Sequence, residues 1–147
     1  MYGISIYSVK DDEGIKSLSR NVLKSNDVLA ELTKIGDDEM VRKQIHLDRR
    51  TRVRIVCLGE GDWDEMYDYG WIEDTQTGKK VWVMRYDHTD HAGGAKKNRK
   101  IDTIISLDAG TYSVNYRSDD SHSYYDWNER APRDEEKWGI TVYRLED

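Results

Sequence analysis

Phenylalanine is absent from this chain, and cysteine and proline each occur once. The lone thiol, Cys57, closes no intrachain disulfide and builds no cysteine cage for a metal. Within an alternating apolar run it reads as a small packed hydrophobe. Pro132 falls between strand-like runs, as expected when strands need every backbone N–H for their ladders. No apolar run approaches the length of a membrane span, so no span is expected. Met1 leads directly into strand-like residues without a signal-peptide pattern, which leaves a cytoplasmic protein or a piece of a longer exported precursor. Basic residues are in deficit: 23 Lys and Arg against 29 Asp and Glu give a net charge of -6. That balance argues against nucleic acid as the partner, because phosphate binding needs a basic surface. The one basic cluster, Lys96-Lys97-Asn98-Arg99-Lys100, reads as a solvated loop.

What the chain does have is alternation and aromatics with polar tips. Ten Tyr and five Trp stand where phenylalanine is missing, a choice suited to half-buried sheet faces and polar recognition surfaces. At 147 residues the chain is long enough to close one hydrophobic core. Alternating patterns predict strands from Val28 to Ile35, Glu39 to Leu47, Arg52 to Leu58, Tyr69 to Asp74, Lys80 to Tyr86, Ile101 to Leu107, Thr111 to Arg117 and Trp138 to Leu145. Glycine-bearing punctuation predicts hairpins at Gly36-Asp37-Asp38, Thr75-Gln76-Thr77-Gly78 and Asp108-Ala109-Gly110, and a turn at Gly59-Glu60-Gly61. Ile15, Leu18 and Val22 recur at helical spacing and predict one short helix from about Glu13 to Lys24. About eight strands with one N-terminal helix make an all-β fold, an antiparallel β-sandwich or jelly roll.

The opening run Tyr2 to Val9 is echoed by Trp138 to Leu145, aromatic for aromatic and hydroxyl for hydroxyl. The expected organisation is a strand at 1–11 from a preceding repeat or swapped between copies, a helical linker at 12–27, and a β-sandwich domain at 28–147. A strand of this kind would pair with neighbouring copies or other domains of the same protein through main-chain hydrogen bonds. The alternative is that both strands pair within one domain.

Two connections, 87–100 and 118–137, exceed the roughly 12 to 15 residues beyond which loops are usually functional or disordered. The run from Asp119 to Asn128 packs acids, hydroxyls, aromatics and an amide, and such short polar side chains can lock a loop by bonding its own backbone. Asp119, Asp120 and Asp126, with Asn128, offer hard oxygens suited to calcium, although not at EF-hand spacing. Capping of turns is the plainer role for them. His88, His91 and His122 would make a zinc site only if the two loops meet; otherwise His91 and His122 fix the loops by hydrogen bonds. Ser121 or Ser123 with His122 and an acid makes a poor triad, because adjacent side chains in an extended segment point apart. Trp63 and Trp127, with Tyr124 or Tyr125, are candidates to stack on sugar rings, whereas Trp82 and Trp138 fall within strands and read as packing.

Gly59-Glu60-Gly61, Met66-Tyr67-Asp68-Tyr69-Gly70-Trp71-Ile72-Glu73-Asp74, His91-Ala92-Gly93-Gly94-Ala95-Lys96-Lys97-Asn98-Arg99, Ser118-Asp119-Asp120-Ser121-His122-Ser123 with Asp126-Trp127-Asn128, and Trp138-Gly139-Ile140-Thr141 together resemble a bacterial β-sandwich module. That module is an uncharacterised domain, often attached to larger exported proteins and broadly similar to pre-peptidase C-terminal domains. The resemblance covers about Val28 to Leu145. It implies an accessory or binding role, carries over no catalytic residues, and favours export to the periplasm or cell surface over a cytoplasmic location. The expected function is a non-catalytic structural or binding module rather than an enzyme. Its expected recognition face comprises Tyr67, Asp68, Trp71, His91, Asn98, Arg99, His122, Tyr124, Trp127 and Asn128. A carbohydrate- or calcium-binding module is the second reading and an enzyme of unknown reaction the third.

Overall fold

Alternation in the sequence becomes alternation across two sheets. In the computed structural model, which describes residues 27–145, Val53, Ile55 and Cys57 of one strand are fully buried, while the alternating Arg52 is exposed and Arg54 and Val56 are only partly buried. Tyr112, Val114 and Tyr116 do the same for another strand. A sheet with one apolar face must bury it against a second layer, so the chain folds as a sandwich. The expected strand at Tyr2 to Val9 and helix from Glu13 to Lys24 lie outside the described residues.

Ten strands are described: β1 (Val28–Leu32), β2 (Met40–Leu47), β3 (Thr51–Asp62), β4 (Glu65–Met66), β5 (Tyr69–Asp74), β6 (Lys80–Val83), β7 (Asp90–His91), β8 (Asn98–Leu107), β9 (Gly110–Arg117) and β10 (Gly139–Arg144). Eight carry the fold, and the two-residue β4 and β7 are additions to the expected set. The first sheet runs β1-β10-β3-β8-β7 with β4 attached to β3; the second runs β2-β9-β5-β6. Every pairing between these strands is antiparallel. The long strands mostly switch sheets from one to the next, which is the connectivity of a jelly roll. Ile55, Cys57, Ile140 and Val142 of the first sheet meet Ile45, Leu47, Ile72 and Val114 of the second in the core.

Two of the three expected hairpins are corrected. The segments at 36–38 and 108–110 carry the chain from one sheet to the other: β1 pairs with β10 and β2 with β9, while β8 pairs with β3. Each flanking strand has an apolar face, and placing neighbours in opposite sheets lets those faces meet. Local turn chemistry is the same for a hairpin and for such an arch. The hairpin at 75–78 forms between β5 and β6, with Gly78 at φ 74. Gly59-Glu60-Gly61 is no turn, because β3 runs straight through it. A Cβ on Gly59 would lie 2.0 Å from the Asp68 carbonyl oxygen, and one on Gly61 would lie 2.5 Å from Met66 Sδ. These glycines permit close approach within a strand rather than a change of direction.

Candidate functional site

Both long connections come together at one end of the sandwich, and Asn98 joins them. Placed at the first position of β8 and fully buried, it donates from Nδ2 to Gly93 O and to Arg130 O, each at 2.9 Å. Those two bonds fix the amide, so Oδ1 accepts from His122 Nε2–H. His122 is fully buried and sits at φ 58, in the left-handed region that a non-glycine residue rarely occupies without tertiary support. Its Nδ1 faces Asn128 Oδ1 at 2.9 Å; that oxygen accepts from Lys97 Nζ at 2.9 Å, and it would accept from Nδ1 as well only when the ring is protonated. The imidazole packs edge-on against Trp127 and Trp138 at ring-centre distances of 5.0 and 5.7 Å. Burial holds its pKa below the ordinary value, helped by the Lys97 charge and opposed by the Asn128 bond.

Beneath this brace lie three acids. Glu60, Asp68 and Asp119 each bring a carboxylate oxygen within 4.8 Å of the other two. Asp68 is fully buried; its Oδ1 accepts the Asp119 backbone N–H at 2.9 Å and its Oδ2 accepts the Trp138 indole N–H at 3.3 Å. Burial pushes the Asp68 carboxyl up to about 9, against the pull of the Asp119 N–H and with the help of the neighbouring acids. Glu60 is also raised, by burial first. Its Oε2 pairs with Lys97 Nζ at 3.2 Å, while Oε1 is enclosed with no hydrogen-bond partner.

A third arrangement occupies the outer face of the second sheet. Side chains of β2, β9, β5 and β6 that point away from the core fall into cross-strand rows: Arg42, Asn115, Trp71 and Val83 in one, Gln44, Ser113, Glu73 and Lys80 in the next. Trp71 stands at the centre, with Lys80 Nζ 5.3 Å from its ring centre and the Tyr69 ring centre 5.5 Å away. Its indole N–H is enclosed and has no acceptor among the described residues. Trp71, Arg42, Gln44 and Asn115 line an open depression of about 350 Å³.

Of the residues expected to form the recognition face, the structure gathers Asp68, Asn98, His122, Trp127 and Asn128 into the internal brace. Asp68, Asn98 and His122 are sealed from solvent, so they hold loops rather than greet a ligand. Trp127 donates its indole N–H to Glu135 at 3.1 Å. Arg99 and His91 are spent locally: Arg99 donates to Thr89 and lies over the Tyr86 ring at 4.7 Å, and His91 donates to Gly94 O and Ala95 O. Tyr67 is 37% exposed beside the β3–β4 hairpin, and Tyr124 stacks on Tyr125. Trp71 alone sits on an open face of the second sheet.

The expected calcium set is not assembled. Asp126 faces Asp37, whose carboxylate raises its pKa and also accepts the Ser123 hydroxyl; Asp120 is exposed; Asp119 turns inward to Glu60 and Asp68 instead. No zinc trio forms either, since among the described residues the one group of three ligand-bearing side chains is Glu60, Asp68 and Asp119. Ser123 donates to Asp37 and the His122 nitrogens face Asn98 and Asn128, so neither Ser121 nor Ser123 is hydrogen-bonded to His122.

No protein-family model matches the chain. No curated protein matches it either. Among solved structures it is similar to a protein of Sulfurospirillum deleyianum known from its crystal structure, at a TM-score of 0.39 and 13% identity, over 76% of this chain and 93% of that one.

Glu60, Lys97 and Trp138 are the contributors that sequence reasoning passed over. Glu60 had a signal, an acid between two glycines inside a strand pattern, which marks close backbone approach. The outer rows of the second sheet had one too, in the polar positions of Met40 to Leu47 and Thr111 to Arg117 that alternate with the core.

Proposed function

We propose that this chain is a non-catalytic binding module that takes a glycan on the outer face of the β2-β9-β5-β6 sheet. The observation that carries this reading is Trp71: a partly exposed indole in mid-sheet, with the Gln44 amide, the Arg42 guanidinium, the Glu73 carboxylate and the Lys80 ammonium beside it and Met40, Tyr69 and Val83 as its apolar neighbours. An indole offers a flat apolar platform for the C–H face of a pyranose, and the surrounding groups can donate to and accept from its hydroxyls. The role proposed for the module is that of an accessory part of a larger exported protein, beside other domains or copies, as its motif resemblance implies.

The test is affinity electrophoresis and calorimetry against a panel of soluble polysaccharides and oligosaccharides, with Trp71→Ala and Trp71→Phe beside the parent. The expected result is retardation by at least one glycan, abolished in Trp71→Ala. Trp71→Phe loses no hydrogen bond, so it should melt close to the parent while binding more weakly. A panel on which no glycan binds, or binding undiminished in Trp71→Ala, refutes the reading.

A further inference from the structure

The three acids at the end of the sandwich have a use that bracing alone does not supply. We infer that Glu60, Asp68 and Asp119 form a binding site for a divalent cation, and that the cation is calcium. Each contributes a carboxylate oxygen within 4.8 Å of the others. Like charges this close repel in a low-dielectric interior, and among the described residues the one cation paired to the group is Lys97, held to Glu60 Oε2 at 3.2 Å. A divalent ion would bring positive charge that Lys97 alone does not supply, displacing the proton that burial keeps on Asp68 at neutral pH.

A second observation points to a ligand. Glu60 is 6% exposed, and its Oε1 is buried without any hydrogen-bond partner. A buried carboxylate oxygen left unpaired costs free energy that a cation would recover. Asp68 is already oriented: the Asp119 N–H and the Trp138 indole N–H each engage one of its oxygens, and each oxygen keeps a second lone pair. Lys97 does not depend on the site, because it also donates to Asn128 Oδ1.

Donor chemistry selects the ion. All the donors are hard carboxylate oxygens, with neither thiolate nor imidazole among them, which disfavours zinc and copper. Magnesium demands near-ideal octahedral geometry and keeps several waters, whereas calcium accepts irregular sets of oxygens and bidentate carboxylates. This assignment is independent of the glycan face, and its test uses no sugar.

The whole chain is stripped with EDTA, dialysed, and melted with calcium, magnesium or zinc added singly. Calcium at a hundredfold excess over its Kd should raise the melting temperature by about 5–10 °C, with magnesium and zinc giving little. Glu60→Gln keeps an oxygen for Lys97 but removes the charge, so calcium should bind it at least tenfold more weakly. Should that variant not fold, terbium on the parent decides: its emission, sensitised through the nearby Trp138, should appear and be displaced by calcium. No calcium response and no terbium emission would mean that a proton shared among the acids, not a metal, relieves their repulsion, and the proposal fails. A response to magnesium or zinc alone, or undiminished calcium binding in Glu60→Gln, overturns it as well.

Discussion

Replacing Asn98 by alanine removes a residue that bonds both long connections at once. Three hydrogen bonds vanish: two from Nδ2 to Gly93 O and Arg130 O, and one accepted by Oδ1 from His122. Each such bond contributes about 1 kcal/mol net when its partners can return to water, and about 1–3 kcal/mol when they stay buried and unpaired. Gly93 and Arg130 reach the surface, so their carbonyls can return to water at about 1 kcal/mol each, whereas buried His122 is left unpaired at about 1–3 kcal/mol, and the total is about 3–5 kcal/mol. For a domain whose whole stability is about 5–15 kcal/mol, this is a large fraction, equivalent to a fall of roughly 10–20 °C in melting temperature. Asn98→Asp should be at least as damaging, because it replaces Nδ2 and its two N–H donors by one oxygen that faces two carbonyl oxygens, and it buries a charge. Lys96→Ala, an exposed neighbour in the same loop, is the control and should change stability by less than about 0.5 kcal/mol. Urea unfolding with unchanged m-values measures the loss, and limited proteolysis should show new cuts within 118–137 in Asn98→Ala. A loss below about 1 kcal/mol, or an unaltered cleavage pattern, would refute the claim that this amide ties the loops together.

The imidazole above Asn98 titrates against its burial. Because the folded pKa of His122 lies below its ordinary value near 6.5, the unfolded chain takes up the proton first. Stability held at neutral pH therefore declines as pH drops below about 6.5 and through the lowered folded value. The difference in unfolding free energy between the parent and His122→Gln should narrow from pH 7 to pH 5; a constant or widening gap would mean that the ring is not kept neutral. At the other side of the first sheet, a Cβ on Gly139 would stand 1.9 Å from Leu32 O, with φ at 139, so Gly139→Ala must push β1 away from β10. Thermal melts should show a loss of more than about 3 kcal/mol there, against about 1–2 kcal/mol for Gly78→Ala, which has a positive φ but nothing within 4 Å. Equal effects at the two glycines would show that backbone strain, not the strand contact, governs Gly139.

The two-layer architecture is legible in the sequence because each long strand needs only its own alternation: Val53, Ile55 and Cys57 announce a buried face wherever β3 ends up. Pairing is another matter. Gly36-Asp37-Asp38 and Asp108-Ala109-Gly110 look like hairpin turns, yet what decides between hairpin and arch is which apolar face lies opposite, a property of strands β9 and β10 far along the chain. The order in the long connections is likewise readable from their polar side chains. The partners are not: Asn98 and His122 are 24 residues apart, and Asp68 meets Trp138 across 70. Glu60 was hidden by its glycines, which resemble a turn signal when only the local sequence is weighed.

The same reasoning explains why the expected recognition face had to move. Polar and aromatic residues crowded into a loop are equally good for binding a ligand and for binding one another, and only burial separates the two uses. Asp68, Asn98 and His122 each turn their polar atoms to partners within the protein, and none retains exposed surface. Once an amide has donated twice and accepted once inside the fold, it has nothing left for a sugar hydroxyl. Trp71 is in the opposite state, with its ring partly open and the exposed Arg42, Gln44 and Lys80 near it on the same face. Residues still short of partners after folding are the ones free to recognise something else, and on that criterion Trp71 and Glu60 stand apart from the brace between them.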